Sequence, residues 1–414
     1  MPDMNRRKFL IAGVGVGAAG LLSGAAAFTL PDLLKTAENG PGLGDDAGVL
    51  VIVTLYGGND GLNTVIPYAD GIYHDKRPDL AYGAGDVIQL DDRLGLNPKL
   101  KGIGKMWEDR SLAIVRGVSY PKPDRSHFRS MDIWQTASPS EPSPSGWIGR
   151  WLDTAGNDPL RAVNIGTVLP LMMVGEKYSA ASLMESYSPT PERVSAAVNA
   201  LSVTDGKDTP EMSGVCESLS GVRTTDRAFG PLFPDADPSI AAFGPIAGGL
   251  VAPRPGENQL AKQLKLVSTC VKAAVPTRVY AVSLGGFDTH AHERKLQQPL
   301  LRLLDEAVTP FLREMRADKH GKNVVMLVYS EFGRRVGANA SQGTDHGTAG
   351  PVFIAGAPVK GGFYGDEPSL TDLDDGDLKG TTDFRDVYHE LLSKTVGADP
   401  TPSVGANRRD IGFL

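Results

Sequence analysis

Long apolar runs with no polar alternation punctuate this chain, and each ends in a polar, acid-bearing turn. Val49-Leu50-Val51-Ile52-Val53-Thr54-Leu55 leads into Gly57-Gly58-Asn59-Asp60-Gly61-Leu62-Asn63. Arg278-Val279-Tyr280-Ala281-Val282-Ser283 leads into Phe287-Asp288-Thr289-His290-Ala291-His292, and Val324 to Tyr329 leads into Ser330-Glu331-Phe332-Gly333-Arg334. Runs of this length, rich in β-branched residues, read as strands buried on both faces, as in a parallel sheet. Shorter runs at 112–115 and 352–354 read as further strands. Amphipathic spacing predicts helices over 259–274 and 295–317, with others near 98–109, 126–136 and 384–396. Residues 28–48 read as a linker. Residues 160–250 keep no period, and read as an irregular cap inserted over the sheet edge. No internal repeat is evident. The pattern predicts an α/β fold over 49–414, a single domain whose central sheet is mostly parallel with helices on both faces. In such sheets the ligand site lies beyond the carboxyl ends of the strands. The three acid-bearing turns are therefore expected to converge there.

Charge and composition narrow the partners. The 414 residues are 41% hydrophobic and 22% charged, ordinary for a globular protein. The net charge of −7 speaks against nucleic acid, which is met with a basic patch. Asn5-Arg6-Arg7-Lys8-Phe9-Leu10, an apolar stretch from Ile11 to Leu22, and Ala25-Ala26-Ala27 make a twin-arginine signal peptide over 1–27. The alternative is an uncleaved N-terminal anchor, disfavoured by a short apolar stretch. The signal implies engagement of the twin-arginine translocase and a periplasmic or extracellular location. Cys216 and Cys270 are the two cysteines, free to bridge in that compartment if geometry allows. With no four-cysteine zinc pattern, a metal would have to use oxygen and nitrogen ligands.

Candidate chemistry sits at the turns. Asp60 is either a metal ligand at a strand end or a plain turn residue. Asn59 and Asn63 are candidate substrate-binding donors. Ser126 opens a helix, as an N-cap or as a nucleophile held at a helix N-terminus. His127 beside it is a candidate ligand or proton donor. Asp288, His290 and His292 form the densest cluster: residues two apart share a face in an extended segment, residues four apart in a helix. Glu331 is expected as a metal ligand, an ion-pair partner of Arg334 or Arg335, or both. Asp345-His346, between Gly343 and Gly347, reads as a loop returning to the site, with both residues candidate metal ligands and His346 alternatively an acid/base; a turn aspartate and a surface His is the other reading. His74, His320 and His389 stand alone and read as structural or surface residues.

The ordered set Arg-Arg signal, Gly-Gly-Asn-Asp-Gly-Leu-Asn, Ser-His-Phe, Gly-Trp-Ile-Gly-Arg (146–150), Phe-Asp-Thr-His, Ser-Glu-Phe-Gly-Arg, Gly-Thr-Asp-His-Gly and Thr-Asp-Phe-Arg (382–385) resembles the secreted bacterial family called domain of unknown function 1501. That family is regarded as a distant relative of the alkaline-phosphatase-like superfamily, which includes the sulfatases. The resemblance implies an alkaline-phosphatase-like fold. By position, Asp60 is similar to the superfamily's first-strand Asp, Ser126 to its nucleophile, Asp288 with His292 to its Asp and His four residues on, Glu331 to its strand-end Asp, and His346 to its final His. His290 is the residue associated with the narrower family. Phe332 departs from the pattern, standing where a paired His would be. No Cys/Ser-x-Pro-x-Arg sulfatase signature is present. The resemblance implies a metal-dependent hydrolase or transferase acting on a phosphate or sulfate ester of a small molecule or glycan. It would use one or two divalent ions (Zn, Mn, Mg or Ca), with Ser126 or a metal-activated water attacking, His127 as acid/base and Arg334 stabilising charge. The alternative, suggested by Phe332, is a non-catalytic binding or secretion-assisting protein on a decayed hydrolase fold.

Overall fold

The computed structural model describes residues 27–28, 30–39, 42–156, 158–166, 168–183 and 257–414. The strands of its main sheet, in chain order, are β1 (Ala27–Phe28), β2 (Val49–Leu55), β3 (Leu112–Ser119), β4 (Ala162–Ile165), β5 (Ala181–Leu183), β6 (Val279–Leu284), β7 (Val324–Ser330), β8 (Gly350–Ala355), β9 (Gly362–Tyr364) and β10 (Thr382–Asp383). They form one sheet in the order β1-β5-β4-β6-β2-β7-β8-β3-β9, with β10 also paired to β3. Pairing is parallel from β1 through β7, and β8 alone runs antiparallel to both its neighbours. The expected mostly parallel sheet is present.

Every residue of β2 is buried, as its unbroken apolar run requires. The pleat sends alternate residues to opposite faces. Val49, Val51 and Val53 pack with Leu33, Ile103, Leu264 and Leu304, from α1 (Leu30–Asn39), α3 (Lys101–Glu108), α6 (Gln259–Lys272) and α7 (Glu293–Ala317). A short helix, α2 (Gly71–Lys76), lies off the sheet. Leu50 and Ile52 pack on the other face with Trp134, Trp147 and Tyr388, from α4 (His127–Thr136), α5 (Trp147–Ala155) and α8 (Phe384–Glu390).

Two expectations about organisation change. The supposed linker 28–48 carries α1, whose Leu33 is fully buried in the core. The supposed cap over 160–250 begins with β4 and β5, which are strands of the main sheet. Both are only a few residues long, too short to show a period. Residues 184–256, Cys216 and residues 1–26 with the signal motif lie outside the described residues. Cys270 is buried in the core.

The topology explains how the site is assembled. β6, β2 and β7 are adjacent and parallel, with Leu284, Leu55 and Ser330 in register at their ends. Their following turns must emerge side by side. β3 runs in the same sense, and its exit leads through residues 120–126 into α4. After β7 the chain loops over residues 331–349 and returns as the antiparallel β8, so that whole loop stays at the carboxyl edge. An isolated antiparallel bridge between Arg334 and His346 closes it.

Candidate metal centre

Three segments meet at this edge around one carboxylate oxygen, Oδ1 of Asp288. His290 Nε2 lies 3.0 Å from it, His346 Nε2 3.2 Å and His127 Nε2 3.5 Å. One ligand atom from each of His127, Asp288 and His346 falls within 4.8 Å of the others. His290 flanks this trio, its Nε2 2.9 Å from that of His346.

The outer nitrogens are all held by acceptors. His127 Nδ1 lies 2.8 Å from Glu331 Oε1, and His346 Nδ1 lies 2.8 Å from the Arg125 carbonyl. His290 Nδ1 faces Asp345 Oδ1 at 3.4 Å. With the proton on Nδ1, opposite its acceptor, each ring would offer Nε2 as a ligand. Three Nε2 atoms face one carboxylate oxygen, which is itself an acceptor for them. His127 Nε2 is buried and has no hydrogen-bond partner. That enclosed nitrogen without a partner is a position a cation would satisfy. A ligating His typically has its other ring nitrogen held by a carboxylate or carbonyl. The residues present thus fit a divalent ion with nitrogen and oxygen ligands.

Protonation follows the surroundings. The hydrogen bond that His127 donates to Glu331 raises the His127 pKa above the ordinary imidazole value, more than burial lowers it. Burial lowers that of His346. Burial works against the Asp288 carboxylate, but Arg334, His346 and His127 outweigh it and hold the pKa down to about 2.

Several expected roles are corrected by these contacts. Arg334 is buried and committed: Nε donates to the Gly58 carbonyl at 2.6 Å, Nη1 to Thr344 at 2.9 Å, and Nη2 to Gly57, Phe287 and Asp288 Oδ1. It clamps three turns together, and four of its five N–H donors are taken up in doing so. Glu331, 2% exposed, accepts from the Gly57 amide, Ser330 and His127, so it orients a ligand rather than serving as one. Asp345 likewise backs His290. His292 is exposed in a left-handed conformation immediately before α7. The segment 288–292 is not helical, so Asp288 pairs with the residue two along, and the expected i, i+4 pair does not form. Ser126 precedes α4 as expected, but its hydroxyl makes no cap hydrogen bond and the residue is exposed.

Asp60 does not join the cluster. It is fully buried against Arg77, which grips both its carboxylate oxygens, and its Oδ1 also accepts the Leu62 amide. Burial opposes its ionisation, but Arg77 prevails and lowers its pKa. The neighbouring Glu293 carboxyl is pushed well above its ordinary value by burial and by the Asp60 charge. Glu293 accepts from Asn63 at 3.2 Å and from the Thr344 hydroxyl. Asn63 in turn accepts from Tyr73 in α2, while Asn59 bridges Thr64 and Gln297. Both asparagines are thus structural, with no free amide for a substrate. Sequence reading missed Arg77, Glu293, Gln297 and Thr344. Arg77 sits before a proline in a loop, and nothing local marks its partner seventeen residues back.

Phe332 is a wall of the site. Its ring lies 4.8 Å from those of both His127 and His346, and covers them from below. Gly58, at φ +68°, lets it approach: a Cβ there would stand 2.1 Å from the Phe332 ring.

Comparison with known proteins gives one family match and several distant structural likenesses. Residues 265–409 match a family described as "Protein of unknown function (DUF1501)". That stretch holds Asp288, His290, Glu331, Arg334 and His346, but neither Asp60 nor His127. No curated protein matches the chain in sequence. Among solved structures, the chain is similar to a protein in the alkaline phosphatase superfamily from Vibrio parahaemolyticus, at 12% identity and a TM-score of 0.42, covering 100% of this chain and 79% of the other. It is also similar to a phosphonate monoester hydrolase from Silicibacter pomeroyi (11% identity, TM-score 0.34, covering 88% and 76%). The alkaline phosphatase from the Antarctic bacterium TAB5 gives 9% identity and a TM-score of 0.35, covering 76% and 90%.

Proposed function

We propose that this protein is an exported, metal-dependent ester hydrolase working on a phosphate or sulfate ester. A single divalent transition-metal ion would be held by His127, Asp288 and His346, with His290 at its open side. The observation that carries the reading is the convergence of three imidazole Nε2 atoms on one carboxylate oxygen, each ring's Nδ1 backed by an acceptor on its far side. Imidazole-rich sites with one carboxylate suit Zn, Mn or Fe better than Mg or Ca. Bound there, the ion supplies Lewis acidity toward an ester oxygen.

The chain's own groups do the rest. Arg334 and the three carbonyl-bearing turns fix the Asp288 carboxylate. Glu331 and the Arg125 carbonyl fix the tautomers and tilt of His127 and His346. Phe332 excludes water from beneath both rings, which strengthens every charge interaction at that face. Ser126 presents an uncommitted hydroxyl at the N-terminus of α4, where the helix dipole favours developing negative charge. It is the candidate nucleophile, and a water at the same mouth is the alternative attacker. Export through the twin-arginine translocase, to a periplasmic or extracellular site, is supported by Arg6-Arg7 and the apolar stretch behind them.

The experiment is a Ser126→Ala variant loaded with Zn, Mn or Fe and assayed on aryl phosphate and aryl sulfate esters. Loss of turnover with metal retained assigns the attack to Ser126. Full turnover moves it to water. A metal-loaded parent that cleaves no ester contradicts the hydrolase reading.

A further inference from the structure

The carbonyl that holds His346 belongs to Arg125, in the irregular stretch 120–126 between β3 and α4. That stretch lies beyond the end of β3, and side chains anchor it. The Tyr120 hydroxyl contacts Asp124, while Arg125 reaches across to a hairpin formed by Leu373–Asp374 and Asp377–Leu378. Nε of Arg125 donates to Asp377 Oδ2 at 2.7 Å, and Nη2 lies 2.6 Å from the same oxygen. Asp377 is 1% exposed, although it is a carboxylate on a two-residue strand. A pair with one partner buried is screened less by water and salt than an exposed pair.

The same carboxylate also serves the other side of His346. Its Oδ1 lies 3.6 Å from Arg335 Nε, and the Arg335 amide donates at 3.1 Å to the carbonyl of Asp345, the residue before His346. The hairpin itself is seated on this loop. The Thr348 hydroxyl donates to the Leu378 carbonyl at 2.6 Å, and Leu378 packs with Val336 and Ala349. Asp377 thus stands between the residue that backs the His346 ring and the residue that pins the chain beside it. Asp375 reaches the same two arginines, at 3.0 Å from Arg125 and 3.2 Å from Arg335, but its side chain is 76% exposed. Exposed pairs of this kind contribute little, so the two aspartates offer the same charge at different burial.

We infer that Asp377 is a positioning residue for the candidate metal centre: through Arg125 it holds the carbonyl that keeps the proton of His346 on Nδ1 and turns Nε2 toward Asp288. The inference rests on the proposed metal site, but its first readout needs no ion. Imidazole nitrogen NMR spectra of the metal-free protein at pH 8 report each ring's tautomer, with His346 assigned by His346→Ala. The parent is expected to carry the His346 proton on Nδ1. In Asp377→Ala the Nε2-protonated form should appear, because Asp288 Oδ1 then competes for the proton. His127, held by Glu331, should keep its tautomer. Zinc affinity, read by chelator competition, should fall about tenfold, near the low end for an outer partner of a ligand. Asp375→Ala should change neither readout. Arg125→Ala removes the same link at a partly exposed side chain. It should reproduce both effects, and it decides the matter if Asp377→Ala does not fold. A parent with the His346 proton on Nε2, or an unchanged His346 tautomer in the folded variants, would overturn the inference. Equal shifts at His127 and His346 would overturn it too, since they mark general loosening. A parent that takes up no zinc would defeat the metal reading, while the tautomers would still decide whether Asp377 orients His346.

Discussion

Nη2 of Arg334 lies 2.8 Å from Oδ1 of Asp288, while the same guanidinium reaches the carbonyls of Gly57, Gly58, Phe287 and Thr344. One side chain therefore ties together the turns after β2 and β6 and the loop before β8. A lysine cannot reproduce this fork. Arg334→Lys should lower stability, leave buried carbonyls without donors and release Asp288. Because Asp288 keeps water on one side, the loss should stay below the ~3–5 kcal/mol of a fully buried broken pair. Denaturant titration of both forms measures it, and an unchanged midpoint would contradict the clamp.

Glu331 acts through His127. Glu331→Gln keeps the shape but removes the charge that fixes the Nδ1 proton. Metal affinity is expected to fall about 10–100-fold with the fold intact. If Glu331 were itself a ligand, loss of bound metal would be closer to complete, so competition against a chelator of known affinity separates the two.

The metal affinity should rise with pH. Glu331 holds the His127 pKa above the ordinary value. In the metal-free protein the stability from that pair is full below the unfolded value of about 6.5, and is lost as pH rises through the folded one. A ligand must be neutral, so the ion displaces the proton, and affinity climbs over this same window. Calorimetry in two buffers of different ionisation enthalpy, between pH 6 and 8, reads both the affinity and the proton release. Affinity independent of pH would contradict His127 as a ligand.

Asp60, lowered by Arg77, and the carboxyl of Glu293, raised by burial and by the Asp60 charge, should titrate in opposite senses. The raised Glu293 pKa means its contribution is full below the unfolded value of about 4.3, and is lost as pH rises toward the folded value. Glu293→Gln cannot ionise. Its stability should be about 1 kcal/mol lower near pH 6, from the altered hydrogen bonds, yet flatter than the parent's toward pH 9. Arg77→Met strands a buried carboxylate and should cost about 3–5 kcal/mol. Thermal melts across that pH range test both, and parallel curves for parent and Glu293→Gln would contradict a protonated Glu293.

The central sheet was legible because β2, β6 and β7 are continuous apolar runs, which only a sheet covered on both faces explains. The short β4 and β5 were not, since three or four residues carry no period. Convergence of Asp288, His290, Glu331 and His346 followed from strand ends. Their division of labour did not, because it depends on which atom each group faces. Glu331 and Asp345 looked like ligands for the same reason they are good backers of ligands: each is a carboxylate beside a histidine. Arg334 looked like a substrate clamp, and its burial under three turns could not be read from one turn. Asp60 was misplaced because its partner Arg77 arrives from a loop with no motif. Phe332 looked like a missing ligand and is a wall.

The most direct test of the metal centre is zinc titration of the dialysed mature protein beside Asp288→Asn and His346→Ala. The arrangement predicts about one ion per chain, with affinity at least roughly 100-fold weaker in either variant, as expected when a ligand itself is lost. Failure of the parent to bind zinc, manganese or iron below millimolar concentration, or equal binding by all three proteins, would contradict it.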